Sequence, residues 1–330
     1  MLEDGRLVLL IKSGYRAVKL HQLRDIVAIA EWGGLRAASR QLGIAQPALT
    51  RSLGELEREL GAPLFERHAR GMTLTPMGQA FAQRAAAIMH EVRRARDEAE
   101  QLRGSTRGSV TVALSIASHI TLLPTALRPF RTRYPDVRLR VIEGLYPNHE
   151  GGLRDGGIDF YIGPEPGRAV RSDLVQQVLF DNTRTVLGRR DHPLAAAASL
   201  ADLAGAEWAT TSVTVEAEEE MGELFRSHSL GAPRLVLQSQ SALTLMVVLA
   251  YTDLLAMVPV QWMEFAPMAG ILQTIQVREM LPAPAIVLIH RAGLPLTPAA
   301  TFLVDMLRRA APPVPEPPYA ARTSVTKPRT

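Results

Sequence analysis

The sequence predicts an α/β protein that carries an all-α head at its N-terminal end. Three observations predict this fold class: apolar residues at helical spacing up to about residue 103, an unbroken heptad repeat in that region, and strand-like segments alternating with helix-like ones after Gly108. With 330 residues, of which 47% are hydrophobic, the chain can bury more than one core. About two to three domains are therefore expected.

Composition excludes several classes of protein. The chain has no cysteine, so disulfides, thiolate metal sites and cysteine redox sensing are ruled out. Its histidines are scattered without ligand spacing, and we predict neither a metal nor another cofactor. No apolar run approaches the roughly 18 to 20 residues that span a bilayer, so we expect no membrane partner and a cytoplasmic location. The formal net charge of +4 is too small to establish a nucleic-acid partner by itself.

The head begins with two short helices. Residues 1–17 precede the first periodic segment and are treated as an extension. In "HQLRDIVAIAEWG" the apolar residues recur at helical spacing until Gly33 and Gly34 end the helix. A second helix, "LRAASRQLG", ends at Gly43.

A third helix is predicted in "QPALTRSLGELERELG", and its two faces differ. The face predicted to be buried is a stripe of four leucines: Leu49, Leu53, Leu56 and Leu60. The opposite face carries Pro47, Arg51, Gly54 and Arg58. An ordinary solvent-exposed helix face is the alternative interpretation of those residues.

Three short helices followed by "PLFERHARGMTLTPMG" predict a helix-turn-helix with a wing over residues 18–75. In that arrangement the third helix enters the major groove of DNA by its N-terminal end. Pro47 suits the first turn because it needs no backbone donor there, and the free N–H groups of that turn face phosphate. The candidate readers of double-stranded DNA are Gln46, Pro47, Thr50 and Arg51. Glutamine can pair with adenine, arginine with guanine, and threonine can offer a methyl group to thymine.

A long linker helix is predicted over residues 76–104, with no Gly or Pro after Gly78 until its end. Its apolar positions alternate spacings of four and three, the repeat of a helix that packs along a partner helix. The predicted dimerisation seam is Phe81, Ala85, Ile88, Val92, Ala95, Ala99 and Leu102. A core helix of a monomer is the alternative, but about 27 residues of strict repeat exceed the usual globular helix of about 11. Two-fold symmetry would place two recognition helices on successive half-sites.

After Gly108 the alternating pattern predicts two similar Rossmann-like α/β lobes. The first lobe is expected over residues 108–180 and 284–311, and the second over residues 181–283. The chain would cross between the lobes twice and leave a cleft at their interface, which is a favoured place for a small ligand. Residues 312–330 are Pro-rich without apolar periodicity, and we interpret them as a flexible tail.

The candidate effector site lies where strands end at this cleft. Its residues are Ser115, Ser118 and His119 from the first lobe, and Thr211, Ser212 and Ser241 from the second. The helix that follows Ser115 would turn its N-terminal amides to the cleft, an arrangement that suits an anion, and His119 could add a pH-dependent charge. Serines at strand ends are also ordinary helix caps, and that interpretation stays open. The acidic run "EAEEEM" from Glu216 could instead select a cationic ligand or form a solvated first turn of a helix.

The segment "AASRQLGIAQPALTRSLGELERELGAPLFERHARGMTLTPMGQAF" closely resembles the N-terminal domain of LysR-type transcriptional regulators. It shares their pair of small residues, their Gln-Pro-Ala, their Leu-Glu motif, "LFER", and the wing Leu-Thr with its Gly. A weaker resemblance extends over about residues 18–311 and implies lobes like those of a type 2 periplasmic binding protein. The resemblance further implies a homotetramer, a dimer of dimers that binds and bends promoter DNA and responds to a small-molecule effector, here a small organic anion.

Carried over residue by residue, the resemblance adds Arg67, Arg70 and Thr75 as contacts to the DNA backbone, which position the protein without specifying a sequence. One departure is Ala45, where the family often has a serine that caps the recognition helix. The missing cap could cost up to about 1 kcal/mol of local stability.

Three other hypotheses compete with this one. An effector-independent DNA-binding repressor would share the same head. A hydrolase using Ser115 and His119 would need a nucleophile elbow and an acidic orienter, and the sequence has no "GxSxG" and no identifiable orienter. A solute-binding protein of a transporter would explain the lobes but not the helical head.

Overall fold

The computed structural model describes residues 18–68, 71–211 and 215–312. The predicted extension, the tail beyond residue 312, Arg70 and Ser212 lie outside the described residues. The chain forms two compact units. One holds the chain up to Gly104 together with Gly151–Ile158, and the other holds Ser105–Glu150 together with the chain from Asp159 onward.

The first unit contains the winged helix-turn-helix that the sequence predicts. Its elements are α1 (Leu20–Trp32), α2 (Leu35–Leu42), α3 (Gln46–Leu60), β1 (Phe65–His68) and β2 (Gly71–Leu74). The three helices end at Gly33, Gly43 and Gly61, each in the left-handed conformation that glycine adopts without strain. Strands β1 and β2 pair antiparallel and form the wing.

One face of α3 packs into the core of this head. Leu49, Leu53 and Leu56 are buried in a cluster with apolar residues of α1 and α2. Leu60, the fourth leucine of the predicted stripe, is only half-buried. Because tertiary packing supplies most of the stability of short helices, the fold fixes this face of α3 and leaves the opposite face to solvent.

The long helix α4 (Pro76–Leu102) has 27 residues, and the structure corrects the first two positions of its predicted seam. Ala85 is 1% exposed and Phe81 packs against the same core of the head, so these two residues stabilise their own domain. Ile88 is 47% exposed and Leu102 is 73% exposed. The other seam positions are half-buried or exposed: Val92, Ala95 and Ala99.

The second unit alternates strands with helices. Its first half contains β3 (Arg107–Leu114), α5 (Ile116–Thr121), α6 (Leu123–Arg133), β4 (Asp136–Glu143), α7 (Tyr146–Asp155), β5 (Phe160–Pro164) and β6 (Leu174–Arg189). Its second half contains β7 (Glu207–Thr210), α8 (Val215–Ser227), β8 (Arg234–Gln238), α9 (Ala242–Tyr251), β9 (Leu255–Pro259), β10 (Leu272–Ile275), β11 (Pro282–Arg291) and α10 (Pro298–Ala310).

Nine described strands of this unit form one sheet in the order β4-β3-β5-β11-β6-β9-β7-β8, with β10 also paired to β6. As the alternating pattern predicts, β3 is parallel to β4 and β5, and β7 is parallel to β8 and β9. The strands β6 and β11 run antiparallel to their neighbours and carry the chain between the lobes. Strand β6 changes partner midway, because it pairs with β11 up to Thr183 and with β9 from Arg184.

The two lobes have separate cores. In the first, Phe130 and Phe160 are fully buried in a cluster that includes apolar residues of α10. In the second, Trp208 packs edge-on against Phe225, and Trp262 belongs to a further buried cluster. In the described part of the chain, every helix is too short or too polar to cross a membrane.

The end of α7 belongs with the head unit because α4 holds it by hydrogen bonds. Arg94, a buried residue of α4, donates to the carbonyl oxygens of Gly156 at 3.0 Å and Ile158 at 3.2 Å. His90 Nδ1 lies 3.0 Å from the carbonyl oxygen of Asp155. These bonds fix a stretch of backbone carbonyls that would otherwise need water or another donor.

Candidate functional site

The N-terminal end of α3 presents the four residues predicted to read DNA. Gln46, Pro47, Thr50 and Arg51 are exposed, and together they line one shallow depression of the surface. Ala45 is the N-cap and makes no side-chain capping bond, as its methyl side chain requires. In the described first turn the backbone N–H of Gln46 can face an anionic group, whereas Pro47 has no N–H and Ala48 N donates to the carbonyl oxygen of Ala45 at 3.0 Å.

These side chains differ in how much of their hydrogen-bonding capacity remains. Thr50 Oγ1 donates to the carbonyl oxygen of Gln46 at 3.0 Å, which leaves its methyl group as the free contact. Arg58, farther along the helix, donates from Nε to the carbonyl oxygen of Gly54. The Gln46 amide and the Arg51 guanidinium have no hydrogen-bond partner within the described chain, so both can contact bases.

The orientation of α3 rests on two polar contacts with the rest of the head. The buried carboxylate of Asp25 in α1 accepts a 2.6 Å hydrogen bond from Ser52 Oγ on the inner face of α3. Glu57 Oε1 accepts from the backbone N–H groups of Leu64 at 2.8 Å and Phe65 at 3.3 Å. The Leu-Glu motif of the sequence thus connects the recognition helix to the start of the wing.

A basic concavity lies between α2 and the wing. Arg67 is exposed on β1, and Arg36 and Arg40 project from α2 one turn apart; His68 is also part of the lining. Gly71, which pairs with His68 next to the turn of the wing, lies close to the head, because a side chain there would press on the carbonyl oxygen of Gly33. Sequence analysis missed Arg36 and Arg40, although their spacing of four on a predicted helix was the available signal.

The structure corrects the prediction that Thr75 contacts the DNA backbone. Thr75 is buried and is the N-cap of α4, where its hydroxyl accepts from Gly78 N and donates to the carbonyl oxygen of Pro63. A Cβ at Gly78 would overlap the carbonyl oxygen of Leu64, which explains why this motif carries a glycine. Both hydrogen-bonding roles of the hydroxyl are occupied within the fold, so Thr75 supports the wing from inside.

A cavity of about 510 Å³ lies between the two lobes of the second unit. Most of its described lining is apolar and includes Ile116, Leu145, Tyr146, Tyr161, Met221, Met257 and Ile286. The polar part of the lining is Ser115, Glu165, Asn182, Arg184, Thr210, Thr211 and Glu220. An apolar wall with a few convergent polar groups is typical of sites for small organic molecules.

Of the predicted effector residues, Ser115 and Thr211 line this cavity. Ser115 is nevertheless buried and caps α5, with its Oγ 3.4 Å from Ser118 N and 3.1 Å from Ser118 Oγ. The structure corrects the prediction for Ser118, His119 and Ser241, which are not part of the described lining. Ser118 is fully buried behind Ser115, and the exposed Ser241 caps α9 by accepting from Thr244 N.

The pair proposed for a hydrolase does not have the geometry of a nucleophile and its base. His119 Nδ1 lies 3.0 Å from the backbone carbonyl oxygen of Ser115, whereas the Ser115 hydroxyl is engaged with Ser118. General-base activation of a serine requires the imidazole to face the hydroxyl itself.

Two tyrosines that the sequence analysis missed form one wall of the cavity. Tyr146 and Tyr161 meet edge to face, with ring centroids 6.0 Å apart. Burial raises the pKa of Tyr161 well above its ordinary value, so its phenol stays neutral. His149 lies behind this wall with its ring centroid 6.5 Å from that of Tyr161, and burial lowers its pKa.

Each charged side chain of the described lining has a partner. Arg184 on β6 forms a 2.7 Å ion pair with Glu220 on α8 and donates from the other terminal nitrogen to the carbonyl oxygen of Pro282. Glu165 accepts a 2.6 Å hydrogen bond from Gln176. Sequence analysis considered the acidic run that contains Glu220, but it had no means of pairing that run with an arginine 36 positions earlier (220 − 184).

A winged helix-turn-helix followed by a long helix and a two-lobed domain with an interlobe cavity defines a DNA-binding transcriptional regulator with a ligand-binding domain. Comparison with protein families agrees. The model of the bacterial regulatory helix-turn-helix protein, lysR family, matches residues 20–79, and that of the LysR substrate binding domain matches residues 103–312. The chain belongs to the LysR family of transcriptional regulators.

Individual relatives agree with this assignment. The SDS degradation transcriptional activation protein of a Pseudomonas species is 31% identical over 301 residues, which cover 87% of this chain and 95% of that protein. The HTH-type transcriptional regulator GalR of Pseudomonas putida is 28% identical over 289 residues, which cover 87% and 73%.

Solved structures show the same fold. The structure of CbnR, a LysR family transcriptional regulator, has a TM-score of 0.67 at 23% identity, covering 89% of this chain and 100% of that one. Full-length CbnR complexed with its target DNA gives a TM-score of 0.66.

Proposed function

We propose that this regulator binds promoter DNA through the N-terminal end of α3, and that a small organic acid in the interlobe cavity changes that binding. One observation carries the DNA-binding half: Gln46 and Arg51 are exposed at a helix N-terminus and have no internal task in the described structure. Arg36, Arg40 and Arg67 would hold the phosphate backbone on either side, and Arg70 of the wing would add a further contact.

The effector half of the proposal is supported by the composition of the cavity. Its volume of about 510 Å³ is suited to a molecule of modest size, and its wall is mostly apolar. The described lining contains one arginine and two glutamates, which is compatible with one acidic group on the ligand but not with several. One relative is named for the degradation of SDS, an organic anion with a long apolar chain.

Assembly into a dimer of dimers is the third part of the proposal. From Ile88 onward the seam of α4 leaves apolar side chains open to solvent, and small alanines at two later positions allow close approach of a second helix. A second α4 on this seam would bring two heads together for two half-sites.

The test is a titration of DNA binding with matched arginine variants. Operator DNA is enriched from a random pool with the full-length protein, and binding to it and to scrambled DNA is measured at one salt concentration. Arg51→Ala should weaken operator binding by about 1 to 3 kcal/mol and spare scrambled DNA, because a base contact is lost. Arg67→Ala should weaken both alike. If Arg51→Ala kept full discrimination, α3 would not read the sequence through this residue.

A further inference from the structure

We propose that the acidic group of the effector binds Arg184 by displacing Glu220, and that this exchange selects ligands with a single acidic group. The inference rests on the proposed effector site and names its specificity residue.

The geometry around Arg184 leaves one side of its guanidinium for exchange. One terminal nitrogen donates to the carbonyl oxygen of Pro282 at 3.1 Å, and the other is paired with Glu220 Oε1 at 2.7 Å. The Pro282 bond belongs to the strand framework and orients the group. The Glu220 bond joins it to a side chain on a different element, α8, and a carboxylate or sulfonate could take that place with the same bonding.

The two partners differ in how firmly they are held. The Arg184 side chain is 20% exposed, whereas that of Glu220 is 51% exposed. Glu220 can therefore regain water when it is displaced, while Arg184 needs an acceptor at all times. The exchange keeps Arg184 paired and returns Glu220 to solvent. The acidic group of the ligand therefore replaces the carboxylate of Glu220, and Arg184 is never an unpaired cation.

A second polar group lies next to Arg184. Asn182 precedes it by two residues on β6, so both side chains leave the strand on the same face, and both line the cavity. The Asn182 oxygen accepts from Thr183 N at 2.9 Å, which leaves the amide NH₂ as a donor toward the cavity. Together the guanidinium and the amide can donate to both oxygens of one carboxylate.

The location of Arg184 explains how ligand binding would change the contacts between the two lobes. It is the residue at which β6 leaves β11 and begins to pair with β9, and therefore lies at the junction between the lobes. The ion pair of Glu220 with Arg184 connects α8 of the second lobe to this junction. An acid that takes the arginine would release α8, whereas a neutral molecule of the same shape would leave the ion pair intact.

The experiment compares acids with their neutral amides on four forms of the full-length protein. The probes are benzoate with benzamide, 2-naphthoate with 2-naphthamide, and octanoate with octanamide, titrated calorimetrically into wild type, Glu220→Gln, Glu223→Gln and Arg184→Gln. Glu223 is an exposed carboxylate one turn along α8 and outside the cavity lining, so its variant removes the same charge without touching the pair.

We expect Glu220→Gln to bind the best acid about two- to fivefold more tightly than wild type, because half-exposed ion pairs are worth little. Its affinity for the amide should stay unchanged, and Glu223→Gln should match wild type for both. Arg184→Gln, checked for its fold by circular dichroism, should lose the preference for acid over amide.

Equal acid affinity in wild type and Glu220→Gln would overturn the inference, as would amides that bind as well as acids. So would a panel in which no acid binds either protein. A Met257→Trp variant, which fills the cavity, separates this failure from that of the proposed function. Acids that bind wild type and not Met257→Trp keep the effector site even if the ion pair plays no part, whereas binding that survives Met257→Trp removes the site itself.

Discussion

The exposed face of α3 and the cavity between the lobes use their polar side chains in different ways. On α3 the buried face holds the fold, while Gln46 and Arg51 on the other face are exposed and unengaged within the described chain. In the cavity, single side chains line the surface and also make contacts within the fold. Ser115 lines the wall and caps α5, and Arg184 lines the cavity while it is paired with Glu220.

This difference separates two kinds of functional surface. DNA is a highly charged ligand, so side chains that are hydrated in the free protein can bind it. A small buried ligand must be met by groups that are satisfied before it arrives, because an unpaired polar group in a cavity is costly. Substitutions on the exposed face of α3 should therefore affect function without stability, and substitutions in the cavity should affect both.

The largest effect is expected where the head continues into α4. Ile88→Asp places a charge on the exposed part of the seam, so the single chain should keep its fold while the dimer separates, since a carboxylate buried against a partner helix costs several kcal/mol (about 3 to 5). Light scattering at micromolar concentration measures the assembly. The wild type should be a dimer or tetramer and the variant a monomer.

Ala85→Asp is the contrasting variant, since Ala85 is buried in its own domain. It should unfold the head, which circular dichroism would detect, whereas Ile88→Asp should not. A wild-type protein that is itself monomeric would remove the seam and the two-half-site geometry together. Loss of helix in Ile88→Asp would show that Ile88 stabilises the fold of its own chain and is not purely a residue of the dimerisation seam.

A smaller effect is expected for two serine caps that differ only in their location. Ser115 caps α5 at the cavity, and Ser241 caps α9 on the exposed surface outside the lining. Each serine-to-alanine variant should lose about 0.5 to 2 kcal/mol of local stability, because one helix N–H loses its acceptor. Thermal unfolding with and without a bound carboxylate then separates the two roles.

With the ligand present, Ser115→Ala should show a smaller stabilisation than wild type, and Ser241→Ala should show the same stabilisation as wild type. If the ligand stabilised Ser115→Ala as much as the other two proteins, Ser115 would only cap α5 and would not contribute to ligand binding.

The sequence predicted the head closely because each signal there was local. The leucine stripe, the terminal glycines and Pro47 all act within a few residues, and the structure follows them. Three residues that stabilise the head from inside, Thr75, Phe81 and Ala85, were assigned to surfaces because nothing local distinguishes a helix cap or a core residue from a contact residue.

The lobes and a cleft between them were predicted from the pattern, but most of the residues that line the cavity were not. The strands parallel to their neighbours alternate clearly with helices, whereas the first half of β6 and the short β10 have no such signal. The cavity residues Tyr146, Arg184 and Glu220 are far apart in the chain and come together only in the folded unit. Serines at strand ends were visible locally, and two of those predicted turned out to be outside the lining.

The smallest effect is expected from the histidine behind the cavity wall. Burial lowers the pKa of His149 below its ordinary value of 6.5, so the folded protein binds fewer protons than the unfolded chain over a window beneath that value. The stabilisation from a neutral His149 is therefore complete above the ordinary pKa and is lost as the pH falls through the folded pKa.

Urea unfolding of wild type and His149→Gln at about pH 7.5, 6.0 and 5.0 tests this. His290, whose pKa is lowered by burial and by Arg308, titrates in both proteins and cancels from the comparison. The advantage of wild type over the variant should shrink toward the lowest pH. A constant difference across the three values would mean that His149 keeps the same proton in both states and that the wall beside Tyr161 does not sense pH.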